Sequence, residues 1–293
     1  MNLLQHLFKT PHPVIGVVHL LPLPTSPRWG GDLERVIAQA EQAATALAAG
    51  GVDGLIVENF YDAPFAKDRV DAAVVSAMTV VVQRLKTLVS LPLGINVLRN
   101  DGYSALAIAA CVGAQFIRVN VLSGVMATDQ GIIEGDAHRL MRYRRELGAD
   151  VKVFADVLVK HAQPLSPVGL SAAISDTVER GLADAIILSG WATGNPPLFE
   201  ELELARTAAP HVPLFIGSGA TAENIGSLIR RADGVIVASS LKRTSRSTGV
   251  PTGYGDPFPL IDPIRVREFV EALHLGVRER VANHSYAATP GSG

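Results

Sequence analysis

The chain has 293 residues, 48% hydrophobic and 18% charged, with a formal net charge of −2. That balance supplies apolar side chains for a large core and gives no general electrostatic reason to bind nucleic acid or an anionic membrane. The one cysteine, Cys111, excludes an intrachain disulfide and fits a reducing compartment.

The N-terminal MNLLQHLFKTPHP has too short an apolar run for a signal peptide and no small-residue cleavage site, and no stretch reaches the ~18 apolar residues of a membrane span. Residues 1–9 read as an extension, whose LLQHLF (3–8) is expected to pack under the fold rather than dock on a partner. A repeating pattern then begins. The strand PVIGVVHL (13–20) leads to a helix capped by Asp32, with Leu33, Val36, Ile37, Ala40, Ala44 and Leu47 at helical spacing and Gly50 at its end. AAGGVDGLIVEN (48–59) carries the second strand, and residues 71–89 the second helix with Asp71 as candidate cap. PLGINVL (92–98), helix 104–112, CVGAQFIRVN (111–120), helix 136–147 and ELGADVKVFAD (146–156) follow. RGLADAIILSG (180–190) lies between helices 171–180 and 198–208. VPLFIGSG (212–219) and RRADGVIVASS (230–240) flank a helix over 221–231, with Thr221 as its cap. Asp262-Pro263 opens a last helix to about Leu275. Runs this apolar suit parallel strands covered on both faces.

Eight strand–helix units predict an α/β fold, a single (β/α)8 TIM barrel over 10–281, in preference to an open doubly wound sheet. Residues 243–257 and 281–293 are rich in small and polar residues and read as flexible, which leaves 282–293 as a tail.

Function in such a barrel sits at the C-terminal ends of the strands. Strand alternation turns His19, Glu58, Asn96, Arg118, Asn120 and Asp156 inward there, where a barrel used only as a scaffold would carry Val, Ile and Leu. Glu58 and Asp156 are candidates for acid–base work or, as an option without a spacing signature, for a divalent cation; no cofactor is required. Arg118 has a plainer reading as an internal brace to Asp156 or Glu58, and His19 as a satisfied core histidine. Asn59 is expected to cap the following loop.

Residues 215–242 make the strongest case for a ligand. Gly217, Ser218 and Gly219 follow one strand; Ala238, Ser239 and Ser240 follow the next and open a helix. Free backbone N–H groups at two adjacent strand ends make a phosphate or carboxylate cradle. Gly190 and Gly194, around Trp191, add further donors. Three long loops, 21–31, 60–65 and 123–131, are candidate lids, with Arg28, Asp129, Lys160 and His161 in reach of a ligand.

The segments HLLPLPTSPRWGG (19–31), VENFYDAPF (57–65), GINVLRND (94–101), RVNVLSGVMATDQGIIEG (118–135), ADVLVKHA (155–162), LSGWATGNPP (188–197), GSGATAENI (217–225) and DGVIVASSLK (233–242) together resemble the BtpA/SgcQ family over about residues 10–275. VPTGYGDPFP (250–259) makes the link after the eighth strand longer than that resemblance leads one to expect. The resemblance implies a ribulose-phosphate-binding type of barrel. It also implies a role in photosystem I accumulation, from a peripheral position on the cytoplasmic face of the thylakoid, and it implies no settled activity. Photosystem I components or the thylakoid surface are therefore expected partners beside a phosphorylated small molecule, and a homo-oligomer stays open. An enzyme acting on a small phosphorylated metabolite is the alternative. There Glu58 or Asp156 would be the base and Arg118 would hold developing negative charge.

Overall fold

Short apolar runs become strands because both of their faces are covered. The computed structural model describes residues 2–190, 194–243 and 258–287. Within it β1 (Val14–His19), β2 (Gly54–Glu58), β3 (Leu93–Asn96), β4 (Phe116–Val119), β5 (Lys152–Asp156), β6 (Ala185–Leu188), β7 (Leu214–Ile216) and β8 (Gly234–Val237) pair in parallel in that order, and β8 closes on β1. Register sets the height of each side chain. His19 pairs with Glu58, and Glu58 with Asn96, so these polar residues share one level at the top of the barrel.

Below that level the interior is apolar. Phe116, Phe154 and Phe215 pack with centroids 4.7 and 5.1 Å apart. Gly94 makes their room, since a Cβ there would stand 2.2 Å from the Phe116 ring. Helix α1 (Leu3–Phe8) plugs the bottom with buried Leu4 and Phe8; Phe8 meets Phe116 edge-on at 5.6 Å.

The lower rim carries one device four times. Asp53, just before β2, accepts from the N–H of Val14 in β1 at 2.8 Å. Gln115, before β4, accepts from Leu93 in β3 at 2.8 Å. Asp184, before β6, accepts from Val153 in β5 at 2.8 Å. Asp233, before β8, accepts from Leu214 in β7 at 2.9 Å. Each clamp satisfies a strand-entry N–H that the ladder leaves open. The Asp that closes several helix–strand loops thus ties successive strands together in pairs.

The outer helices are α2 (Leu33–Gly50), α3 (Ala72–Leu88), α4 (Gly102–Val112), α5 (Ala137–Leu147), α6 (Leu170–Ser175), α7 (Phe199–Ala208), α8 (Ile225–Leu228) and α9 (Pro263–Ala287). Asp32 caps α2 through the Arg35 N–H at 3.0 Å, whereas Asp71 makes no side-chain cap to α3. The turn that ends α2 falls on Gly51 (φ 93°); Gly50 remains helical, and a Cβ on it would strike Val266 of α9 at 2.3 Å.

Four expectations need correction or refinement. The helix over 221–231 shrinks to α8, because Asn224 spends its side chain on the Thr221 N–H and the Gly219 carbonyl and so holds a turn. The helix over 171–180 is present from Leu170 but changes pitch: the α-helical part ends at Ser175 and Asp176–Arg180 is a π turn. The segment 123–131 is no lid loop: Val125–Thr128 pairs antiparallel with Gly131–Glu134 and with Ala162–Pro164 as a small three-stranded sheet, with Gly131 at φ 99° in the turn. Finally, α9 runs past Leu275 to Ala287, into the segment read as a tail. The expectations for Trp191 and for residues 244–257 fall outside the described residues, although Phe258 and Pro259 of the long link lie within them.

Candidate functional site

A cavity of about 720 Å³ opens at the top of the barrel. Its floor is built by the strand ends. β4 supplies Arg118 and, just past its end, Asn120; β1, β2 and β3 supply His19, Glu58 and Asn96; Asp156 of β5 stands behind Arg118, outside the lining, and all six side chains are buried. They form one connected network. Arg118 forks onto Asp156, Nε to Oδ2 and Nη2 to Oδ1, both at 2.9 Å, and Nη1 reaches Glu58 Oε1 at 3.3 Å. Asn96 donates to Glu58 Oε1 at 2.9 Å, and Asn120 to Asp156 Oδ2 at 2.9 Å. His19 Nε2 faces Glu58 Oε2 at 3.6 Å.

The carboxylates are therefore on strands three apart but share one guanidinium. Burial alone would raise the Glu58 carboxyl, but the hydrogen bond to His19, the Arg118 charge and Asn96 outweigh it and hold it at about 2. Burial would lower the Arg118 pKa, and Asp156 with Glu58 reverses this and raises it. A carboxyl held so low is a weak base, so the expectation that Glu58 is the base does not suit this geometry. A divalent cation between Glu58 and Asp156 would meet Arg118, and among the described residues no group of three His, Cys, Asp or Glu side chains converges on a metal position.

His19 is tuned the other way. Burial lowers its pKa, Glu58 opposes, and Lys242 lowers it again, which keeps the imidazole neutral at neutral pH. Phe60 stacks on it at 4.0 Å. Lys242 backs the ring: Nζ lies 2.8 Å from Nδ1 and 3.1 Å from the Tyr61 hydroxyl. An ammonium there donates to Nδ1, which places the imidazole proton on Nε2, toward Glu58. Burial brings Lys242 down to about 8.

The glycine turns line one side of the cavity. Gly217 must lack a side chain, as a Cβ would stand 2.4 Å from Ile187 and 2.6 Å from Ser189 Oγ; Arg118 Nη2 lies 3.5 Å away. Gly219 sits at φ 74° under the backbone of Asn195 and Pro196, and Ser218 donates to the Asn195 carbonyl at 3.0 Å. Ala238, Ser239 and Ser240 line the cavity beside them and enter a single 3-10 turn, Ser239–Leu241, shorter than the expected helix start. The Ser240 hydroxyl is spent on the Ala220 carbonyl at 2.8 Å, so Ser240 could offer a ligand only backbone.

Gly194, Arg28, Lys160 and His161 also line the cavity, whereas Gly190 and Asp129 do not. Gly190 packs under residues 195–196, where a Cβ would meet the Asn195 carbonyl at 2.4 Å, and Asp129 stays exposed on the turn of the small sheet. Asn59 ties loops together as expected: it donates to Asp62 Oδ2 at 3.0 Å and accepts from the Leu98 N–H at 2.7 Å. Asp62 in turn takes the Leu23 N–H at 2.7 Å, which pins loop 21–31. Sequence reasoning passed over Lys242 and Arg99. The signal was present in both, as each is a cation a few residues beyond a strand end in this fold.

Residues 10–275 match the BtpA family. The chain belongs to the BtpA family. A relative in Synechocystis sp., named photosystem I biogenesis protein BtpA, is 64% identical over 290 residues, which cover 99% of this chain and 97% of that one. An uncharacterized protein of Thermococcus kodakarensis is 50% identical over 234 residues, covering 80% and 88%. Among solved structures, the N-(5'-phosphoribosyl)anthranilate isomerase of Pyrococcus furiosus superposes with a TM-score of 0.52 over 90% of this chain and 98% of its own. At 15% identity that likeness speaks for the fold of this BtpA-family chain, a TIM barrel, and for nothing finer.

Proposed function

We propose that this BtpA-family barrel binds a small phosphorylated metabolite in its mouth, and that by doing so it supports the biogenesis of photosystem I, the role in the name of its Synechocystis relative. The charge of the cavity carries the binding half. Arg28, Arg99, Arg118 and Lys160 line it and Lys242 stands behind its wall, against two carboxylates, Glu58 and Asp156, that Arg118 already joins. An excess of cation lining the same mouth as the glycine-rich turns, with Arg99 and Arg118 buried, suits an anionic ligand. The photosystem role asks for a peripheral place on the cytoplasmic side of the thylakoid, and among the described residues no helix is long and apolar enough to cross a membrane.

The test is complementation in Synechocystis lacking its BtpA. Ser239 is exposed at the glycine turns, so Ser239→Glu sets a carboxylate in the cradle while sparing the core. The wild-type chain should restore photosystem I, read as photo-oxidisable reaction centre per cell. Ser239→Glu, present at the same level, should fail. Full restoration by that variant would separate the pocket from the cellular role.

His19 favours a second reading, an enzyme acting on the bound metabolite. Neutral, buried and held by Lys242 with its proton on Nε2, it is a hydrogen-bond donor suited to polarising an oxygen of the ligand rather than a base. His19→Gln would then abolish turnover while leaving ligand affinity within about tenfold, since one neutral hydrogen bond is worth ~0.5–1.5 kcal/mol. Unchanged turnover would exclude that role.

A further inference from the structure

Among the described residues two cations of the cavity have no salt-bridge partner, and they lie across the ring from the glycine turns. Arg99 follows β3 and Lys160 follows β5, so they flank β4, which stands opposite β8 in the closed order. Arg99 is 8% exposed, and its Nη2 donates to the Lys160 carbonyl at 2.9 Å, which joins the two loops. The carboxylates that could neutralise them are committed elsewhere: both oxygens of Asp156 go to Arg118 and Asn120, and Glu58 goes to Arg118, Asn96 and His19. Among the described residues no carboxylate comes within 4 Å of Arg99 or Lys160. Asp129 acts on Arg99 only through space, from the exposed turn of the small sheet. Burial lowers the pKa of both cations, and for Lys160 the neighbouring Arg118 adds to it. Asp156 and Glu58 act on both only through space, so buried Arg99 and half-buried Lys160 are partly compensated at best, and both line an open cavity that an anion could enter.

A third group lies between them. Asn120, just beyond β4, is 4% exposed and lines the same cavity. Its Nδ2 is fixed by Asp156, and its Oδ1 is a buried acceptor with no partner. Such a group is an unfilled site for a hydroxyl donor.

We propose that Arg99 and Lys160 form a second anion subsite, and that the ligand is anionic at both ends. One phosphate lies in the Gly217–Gly219 and Ala238–Ser240 cradle. A second phosphate or a carboxylate lies against Arg99 and Lys160, and a hydroxyl of the ligand donates to Asn120 Oδ1. This rests on the reading of the glycine turns as a phosphate site. It narrows the ligand class from any phosphorylated metabolite to a hydroxylated bisphosphate or phospho-carboxylate.

Calorimetric titration of the full chain tests it with three probes: fructose 6-phosphate, fructose 1,6-bisphosphate and 3-phosphoglycerate. At least one doubly anionic probe should bind about tenfold or more tighter than the monophosphate, as expected for charge-assisted hydrogen bonds. Which of the two does so identifies the second group as phosphate or carboxylate. Arg99→Gln and, independently, Lys160→Met should each erase that advantage, weakening the doubly anionic probe about tenfold more than the monophosphate. Ser239→Glu should weaken all three. Equal binding of all probes to the wild type overturns the second subsite. So does an advantage that survives both Arg99→Gln and Lys160→Met. In either case monophosphate binding that Ser239→Glu abolishes leaves the cradle standing. No binding by any probe overturns the cradle and the second subsite together.

Discussion

The two rims of this barrel are built on opposite principles. At the bottom, Asp53, Gln115, Asp184 and Asp233 perform the same act in four successive strand pairs, and α1 seals the floor with Leu4 and Phe8. At the top nothing repeats. β1 to β5 carry His19, Glu58, Asn96, Arg118 with Asn120, and Asp156, while the ends of β6 to β8 bring small residues and glycine turns. A repeated clamp serves the fold, because every strand pair has the same need. A lopsided set of buried charges serves no such need, and apolar residues of similar volume would stabilise a barrel at least as well. The contrast separates residues that serve the fold from those that the proposed ligand would engage.

The sharpest way to test that division is to break the upper network by one member. Arg118→Met should cost about 3–5 kcal/mol, since Glu58 and Asp156 would remain buried without their shared cation. Chemical unfolding measures it, and a loss below ~1 kcal/mol would mean the carboxylates are solvated. Acid probes the same network. Glu58 titrates at about 2 in the folded chain and at an ordinary 4.5 when unfolded. Its contribution is thus complete above pH 4.5 and disappears as the pH falls toward 2. It is worth roughly 3 kcal/mol by linkage. Glu58→Gln should flatten the stability profile between pH 4.5 and 2, and an unchanged slope there would assign the acid transition to other groups. A smaller effect is expected at the bottom. Asp184→Ala removes the acceptor of the Val153 N–H and the partner of Arg144. The cost should be ~1–3 kcal/mol, the usual penalty for a partly buried donor left unpaired, with ligand affinity unchanged. A change in affinity would show that the rims are coupled.

Much of this was legible in the sequence, for identifiable reasons. The strands announced themselves as apolar runs, and period-two alternation placed the six inward polar residues correctly, since a strand has only two faces. What stayed hidden depended on partners far along the chain. That Asp53 and Asp233 clamp strands 39 and 19 residues away cannot be read from a loop. Neither can the meeting of Lys242 with His19 across 223 residues. Arg99 lay in plain view in VLRND, but its lack of a salt-bridge partner among the described residues is a property of the assembled mouth. Local chemistry misled in the opposite direction at Asn224, where a residue three beyond a candidate cap holds a turn instead of a helix.

Replacing the network whole, rather than breaking it, decides whether the charges serve the ligand or the fold. The variant Glu58→Leu, Asn96→Val, Arg118→Met, Asn120→Val, Asp156→Leu leaves no buried partner stranded among these five. Its thermal unfolding should be followed with and without fructose 1,6-bisphosphate and fructose 6-phosphate at ~1 mM, where a site even of weak affinity fills. If the charges serve binding, the variant unfolds at or above the wild-type temperature and loses the rise that either compound gives the wild type. A variant that no longer folds, or one that keeps the full ligand-induced rise, would contradict that division of the barrel.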